Sequence, residues 1–243
     1  MFRWCAYCQH FVGERAPFDD YSLTHGICAD CRVGPFDDAE NLERVMPIIE
    51  FHAEIRELSR GMRVLSSQQV IERGLALGLR PTDLLLGILQ PVLYELGQLW
   101  DRGEITTEQE AEFTRFCTTT IAEIERSIAI APSRESVLLF NAPNNLHVIG
   151  LHVAGAMMRH RGYDVTVLDP TPPLDELIEL IRTRRPAIVG VSVAAGWQLP
   201  LLDTLVEAVA ALEPRPRIVA GGLAIRLGHA LPAGVEAWDL ATG

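Results

Sequence analysis

The sequence predicts an α/β domain carried behind an all-α block and a small cysteine-bearing segment. Three observations predict it: paired cysteines within residues 1–36, amphipathic helical periodicity over 39–131, and apolar runs alternating with helical stretches over 135–243. At 243 residues the chain is long enough for one or two globular domains, and 48% hydrophobic with 22% charged residues is ordinary for a folded protein. A net charge of −11 argues against a broad nucleic-acid or anionic-membrane footprint. No apolar stretch approaches the ~20 residues that span a bilayer, and Met1-Phe2-Arg3-Trp4-Cys5 does not open a secretory signal. A cytoplasmic protein with no membrane partner is expected.

Cys5-x-x-Cys8 and Cys28-x-x-Cys31 form a C-x2-C-x19-C-x2-C pattern. Each pair offers two thiolates from one turn, and four thiolates make the tetrahedral soft shell that zinc prefers. Some 36 residues with few core hydrophobes do not fold on burial alone, so a metal supplies the missing stability. Two disulfides or a redox pair are the alternatives; a cytoplasmic compartment disfavours the first, and the lack of a thioredoxin-like strand the second. Cys117 lies among apolar helix residues and reads as core packing.

Four helices are expected at about 39–60, 67–78, 82–101 and 107–130. Leu85, Leu89, Val92, Leu96 and Leu99 make one apolar face of the third, and Cys117, Ile121, Ile124 and Ile128 one face of the fourth. Pro91 should kink the third helix and Gly103 should end it, while Thr106-x-x-Gln109 reads as a capping box for the fourth. Short connections argue for an antiparallel four-helix bundle. Ala131-Pro132-Ser133-Arg134-Glu135 is the expected boundary.

Strands are expected at Val137–Ala142, Asp164–Leu168, Ala187–Val193 and Arg217–Ala220, with a last one near Gly234–Trp238, and helices at about 147–161, 174–185 and 199–212. This alternation predicts a doubly wound parallel sheet of the Rossmann or flavodoxin kind, which binds ligands at the carboxyl ends of its strands. The loops to read are therefore Asn141-Ala142-Pro143-Asn144-Asn145-Leu146-His147-Val148-Ile149-Gly150, Ser192-Val193-Ala194 and Gly221-Gly222.

That trio resembles the cobalamin-binding signature Asp-x-His-x-x-Gly, Ser-x-Leu and Gly-Gly. The resemblance implies that His147 ligates the cobalt of cobalamin from below, in place of the cofactor's benzimidazole. Gly150 then lets a helix lie close to the displaced nucleotide tail, Ser192 bonds the displaced ring, and Gly221-Gly222 lets it pass. Two positions depart from the family: its Asp is Asn145 here, which keeps an orienting group but no charge, and its Leu is Ala194. Residues 74–106, with Gln90-Pro91-Val92-Leu93-Tyr94-Glu95-Leu96-Gly97-Gln98-Leu99-Trp100, resemble the helical cap module of corrinoid proteins, methionine synthase and cobalamin photoreceptors. The photoreceptors' Trp and Glu match Trp100 and Glu110, which the resemblance places over the cofactor's upper face; their His is Ala111. Trp4-Cys5-Ala6-Tyr7-Cys8 and His25-Gly26-Ile27-Cys28-Ala29-Asp30-Cys31 resemble a zinc-ribbon-like segment of bacterial signalling proteins. His25 reads as a hydrogen-bonding turn residue, and His52, His152, His160 and His229 as ordinary helix or surface residues.

The implied function is a non-enzymatic cobalamin sensor that takes adenosyl-, methyl- or hydroxocobalamin and passes cofactor or light state to a signalling partner. A second tetrapyrrole, a bilin or haem, is a related expectation. A corrinoid methyl carrier of a methyltransferase system is the alternative. A homo-oligomer is compatible with either, and no helix-turn-helix supports direct nucleic-acid binding.

Overall fold

The computed structural model describes residues 1–32, 38–127, 135–145 and 148–238. The chain divides into two compact units, one ending at Ser127 and one holding the described residues from Glu135 to Trp238. The expected linker at 131–134 lies outside the described residues.

The first unit opens with three four-residue strands, β1 (Phe2–Cys5), β2 (Phe11–Glu14) and β3 (Leu23–Gly26), in the order β2-β1-β3. β1 runs antiparallel to β2 and parallel to β3. His25 is a strand residue opposite Trp4 rather than the expected turn residue. The helices follow: α1 (Asp38–Ser59), α2 (Ser67–Ala76), a long run of α3 (Pro81–Asp83) and α4 (Gln90–Asp101) joined by a π-turn (Leu84–Leu89), and α5 (Thr107–Ser127). α1 packs on α4 and α5, and α2 on α5.

The caps follow the sequence. Thr106 N–H donates to Gln109 Oε1 at 2.9 Å while Gln109 N–H donates to Thr106 Oγ1 at 3.2 Å, and Gly103 closes α4 by donating to Trp100 O. Around Pro91 the helix changes type. Proline lacks an N–H and crowds the carbonyl four residues back; here the six residues before Gln90 take the wider i→i+5 pattern, with Gln90 N–H on Leu85 O. Cys117 has no exposed surface, and burial pushes its thiol pKa up.

α1 also buries His52, 4% exposed, whose Nε2 finds no hydrogen-bond partner among the described residues. Burial foremost, helped by the Arg56 charge and opposed by Glu95, lowers its pKa from 6.5 to about 4. His52 is therefore neutral when folded. Its contribution is complete above pH 6.5 and is lost as pH falls from there towards 4, a window in which the unfolded chain holds a proton that the folded chain largely lacks. That loss amounts to about 3 kcal/mol. Urea unfolding should show the stability difference between His52→Phe and the wild type shifting by that amount between pH 7 and pH 4; parallel pH profiles would refute it.

The second unit is a five-stranded, fully parallel sheet. β4 (Ser136–Asn141), β5 (Asp164–Leu168), β6 (Ile188–Ser192), β7 (Arg217–Gly221) and β8 (Val235–Ala237) stand in the order β5-β4-β6-β7-β8. This is the flavodoxin-like order, with the switch point beside β4. Helices α6 (Val148–His160), α7 (Leu174–Arg184), α8 (Pro200–Val209) and the short α9 (Leu223–Arg226) connect the strands. Two apolar layers flank the sheet. One gathers Phe140, Val191, Leu202 and Leu205, and the other Leu139, Leu151, Met158 and Val219.

Candidate functional site

At the carboxyl edge of the sheet, Asn145 meets Ser192, and Gly222 meets Val193. His147 and Leu146 lie outside the described residues. Asn145, two positions earlier, is 8% exposed. Its Nδ2 donates to Asn141 Oδ1 at 3.3 Å, to Ser192 O at 3.1 Å and to Ser192 Oγ at 3.4 Å. The loop after β4 is thereby tied to the end of β6. Gly150 stands in the first turn of α6, with no heavy atom within 4 Å of where a Cβ would point, so that face has room for a ligand group.

Gly222 has φ +104°, and a Cβ there would lie 2.6 Å from Val193 O. The β7 turn therefore runs against the backbone just after Ser192, held by Val193 N–H on Gly221 O (2.8 Å) and Ala224 N–H on Val193 O (3.1 Å). Gly221 is less confined: its nearest neighbour would be Trp238 O at 3.5 Å. A pocket of about 400 Å³, lined by Gly196, Leu199, Pro200, Asp203 and Leu231, opens beside the loop after β6. A neutral tether, a hydroxyl and a close-packed glycine turn thus lie at the carboxyl edge, where parallel sheets of this kind bind ligands.

Two features of this edge were missed by sequence reasoning. Gln198 is 4% exposed. Its Oε1 accepts from Ala194 N–H (2.8 Å) and Ala195 N–H (3.1 Å), and its Nε2 donates to Pro143 O (3.1 Å), clamping the β6 loop to the β4 loop. A polar residue directly after Gly196-Trp197 was the available signal. His152, read as an ordinary helix residue, has its Nε2 2.9 Å from Asp169 Oδ2 at the end of β5. No local pattern links two residues 17 apart.

In the first unit Trp100 is 47% exposed, and its Nε1 donates to Thr107 Oγ1 at 3.2 Å. Glu110 follows Thr107 by one helical turn, on the same face of α5, and accepts from Thr114 Oγ1 at 2.8 Å. Indole and carboxylate therefore flank one helix face.

The four sulfurs of Cys5, Cys8, Cys28 and Cys31 lie within 4.8 Å of one another. Cys8 Sγ and Cys28 Sγ are 3.9 Å apart. A tetrahedron of Zn–S bonds near 2.3 Å has edges of about 3.8 Å, so the donor set fits zinc. Cys28 N–H donates to Cys5 Sγ at 3.5 Å. Burial raises the Cys5 pKa, but N–H donors from Cys8, Cys28 and Tyr7 outweigh it and bring the thiol down to about 7. Cys31 is pushed up to about 12, chiefly by its hydrogen bond to Cys28. Burial, foremost, likewise raises Cys8. Adjacent thiolates repel, and a divalent cation removes that penalty. The four cysteines are free thiols, not disulfides.

Comparison with known proteins agrees with both units. A B12 binding domain family matches residues 135–236, and a second B12 binding domain family matches residues 61–125. The HTH-type transcriptional repressor CarH of Myxococcus xanthus is 28% identical over 165 residues, 64% of this chain and 55% of that protein. The chain thus spans about half the length of that relative. Among solved structures, the monomethylamine corrinoid protein of Methanosarcina barkeri matches with a TM-score of 0.59 and 17% identity over 79% of this chain and 92% of that one, a likeness of fold. No described helix is long and apolar enough to cross a membrane.

Proposed function

The chain belongs to the B12-binding protein family, and from that premise we propose that it is a cobalamin-dependent regulator which passes the state of its cofactor, set by light, to a protein partner. Bound alkylcobalamin supplies a cobalt that takes an imidazole ligand and a cobalt–carbon bond that visible light breaks. The residues of this chain do the rest. His147 is the proposed imidazole donor, and Gly150, Ser192, Gly221 and Gly222 accommodate the nucleotide tail. Trp100 and Glu110 are the helical unit's proposed contribution. Zinc is the proposed occupant of Cys5, Cys8, Cys28 and Cys31.

Asn145 carries the reading. A methyl carrier takes its cobalt through a reduced state, where a carboxylate beside the ligating imidazole tunes donor strength. Here that position is a neutral amide whose NH2 holds Asn141 and Ser192 in place. Such a tether fixes a ligand without tuning it, which suits a sensor. The relation to a transcriptional repressor supports the same reading.

The test is to load the protein with methyl- or adenosylcobalamin in the dark, illuminate it, and follow both the spectrum and hydrogen exchange. Exchange over α4 and α5 should rise with photolysis, because a helical pair that loses an upper-face contact relaxes. Trp100→Ala should blunt that rise without abolishing binding, since aromatic packing adds only about 0.5–1.5 kcal/mol beyond area burial. Unchanged exchange with a photolysed cofactor would favour a methyl carrier.

A further inference from the structure

Residues 1–60 lie outside both matched B12 binding stretches, so neither assigns the cysteine-bearing segment a role. That segment is nevertheless packed closely onto the helices. Trp4, next to Cys5, has no exposed surface. Its indole fills the space where Gly87 lacks a side chain: a Cβ at Gly87 would stand 2.3 Å from Trp4 Cζ2 and 3.0 Å from Cη2. Phe11 N–H donates to Asp83 Oδ1 at 3.0 Å. Asp83, 1% exposed, is held in turn by Arg80 at 2.7 Å. Gln98 Nε2 donates to Tyr21 OH at 3.0 Å, and the Tyr21 ring sits 5.9 Å from that of Tyr94. Beside Cys8, the Tyr7 ring lies 5.3 Å from the Arg44 guanidinium of α1.

These contacts converge on one stretch. Asp83 immediately precedes the π-turn Leu84–Leu89, Gly87 lies within it, and Tyr94 and Gln98 follow on α4, which carries Trp100. π-Helical turns are rare, and this one is packed against by Trp4 and flanked by the Phe11–Asp83 bond. Both contacts come from more than 70 residues away in sequence. Trp4 Nε1 has no hydrogen-bond partner among the described residues, so the indole is placed by shape. Three four-residue strands cannot hold that shape unaided, whereas a metal gathering Cys5, Cys8, Cys28 and Cys31 can.

We propose that the four-cysteine centre is a metal-dependent brace for the cap helices. With the metal bound, Trp4 and Phe11 hold the turn Leu84–Leu89. Without it, the turn opens and the helical unit loosens its hold on cobalamin. The inference rests on the zinc and cobalamin readings above, and its test separates the three.

The full chain is purified under reducing conditions, its metal counted by mass spectrometry, and hydrogen exchange followed with zinc bound, after chelation and after zinc is restored. Protection over 84–89 should fall at least about tenfold on stripping and return with zinc, while 136–141 in the other unit stays unchanged. Trp4→Leu should deprotect 84–89 with zinc still bound; if that variant fails to fold, Gly87→Ala, which displaces the indole, is read in the same way. Protein preloaded with hydroxocobalamin should release it faster once stripped. Equal protection of 84–89 with and without zinc overturns the brace, and purified protein without bound metal overturns the zinc reading and the brace with it. Zinc-dependent protection with unchanged cobalamin release overturns the link to the cofactor. Failure to bind hydroxocobalamin in any state overturns the cobalamin reading and that link, and leaves the exchange result standing.

Discussion

His147→Ala is expected to convert the spectrum of bound methyl- or hydroxocobalamin to that of the base-off form and to lower affinity on the order of 10–100-fold or more. Imidazole is a strong donor to first-row metals, and even outer partners of such ligands are worth 10–100-fold in affinity. His152 provides the control. It lies five residues away with its Nε2 already 2.9 Å from Asp169 Oδ2, so His152→Ala should remove that contact and leave the cofactor spectrum unchanged. An unchanged spectrum in His147→Ala with an altered one in His152→Ala would transfer the ligand role. Asn145→Asp does not simply restore the family's carboxylate. It removes the amide donor bonded to Asn141 and Ser192 and turns an anion towards the Ser192 carbonyl, leaving buried acceptors unpaired at about 1–3 kcal/mol.

What could be read from the sequence was local or periodic. The Thr106–Gln109 capping box depends on residues three apart. The paired cysteines needed only their spacing, and the parallel sheet needed only the alternation of apolar runs with helices. The π-turn had no such signal. Pro91 announces a disturbance, but its form also depends on Gly87 meeting Trp4, 83 positions earlier in the chain, and no pattern in 84–91 reports that contact. The His152–Asp169 pair escaped for the same reason, since the two are brought close only when the sheet forms; of the bonds made by Gln198, the one to Pro143 O was hidden in the same way. Trp100 shows the converse. A tryptophan at a helix end usually packs inward, and here nearly half its surface is open, a distinction that hydrophobic periodicity cannot make.

The two glycines after β7 should respond to alanine in opposite ways. Gly222 adopts φ +104°, a region that side chains rarely enter, and its Cβ would lie 2.6 Å from Val193 O and 3.0 Å from Val193 N. Those are backbone atoms, fixed by the 2.8 Å bond from Val193 N–H to Gly221 O, so neither can yield without parting β6 from β7. Gly222→Ala should therefore destabilise the second unit by about 3 kcal/mol or more, read from urea unfolding. Gly221 meets nothing closer than Trp238 O at 3.5 Å, an ordinary contact, and its φ is not positive. Gly221→Ala should leave the unfolding midpoint within about 1 kcal/mol of wild type. A methyl group there would nonetheless stand where the nucleotide tail is proposed to pass. A folded Gly221→Ala protein should accordingly lose cobalamin affinity by at least about tenfold, about 1.4 kcal/mol. Stability and affinity that both stay at wild-type values in Gly221→Ala would place the tail elsewhere on the carboxyl edge, with the open pocket beside Gly196 and Leu199 the next place to test.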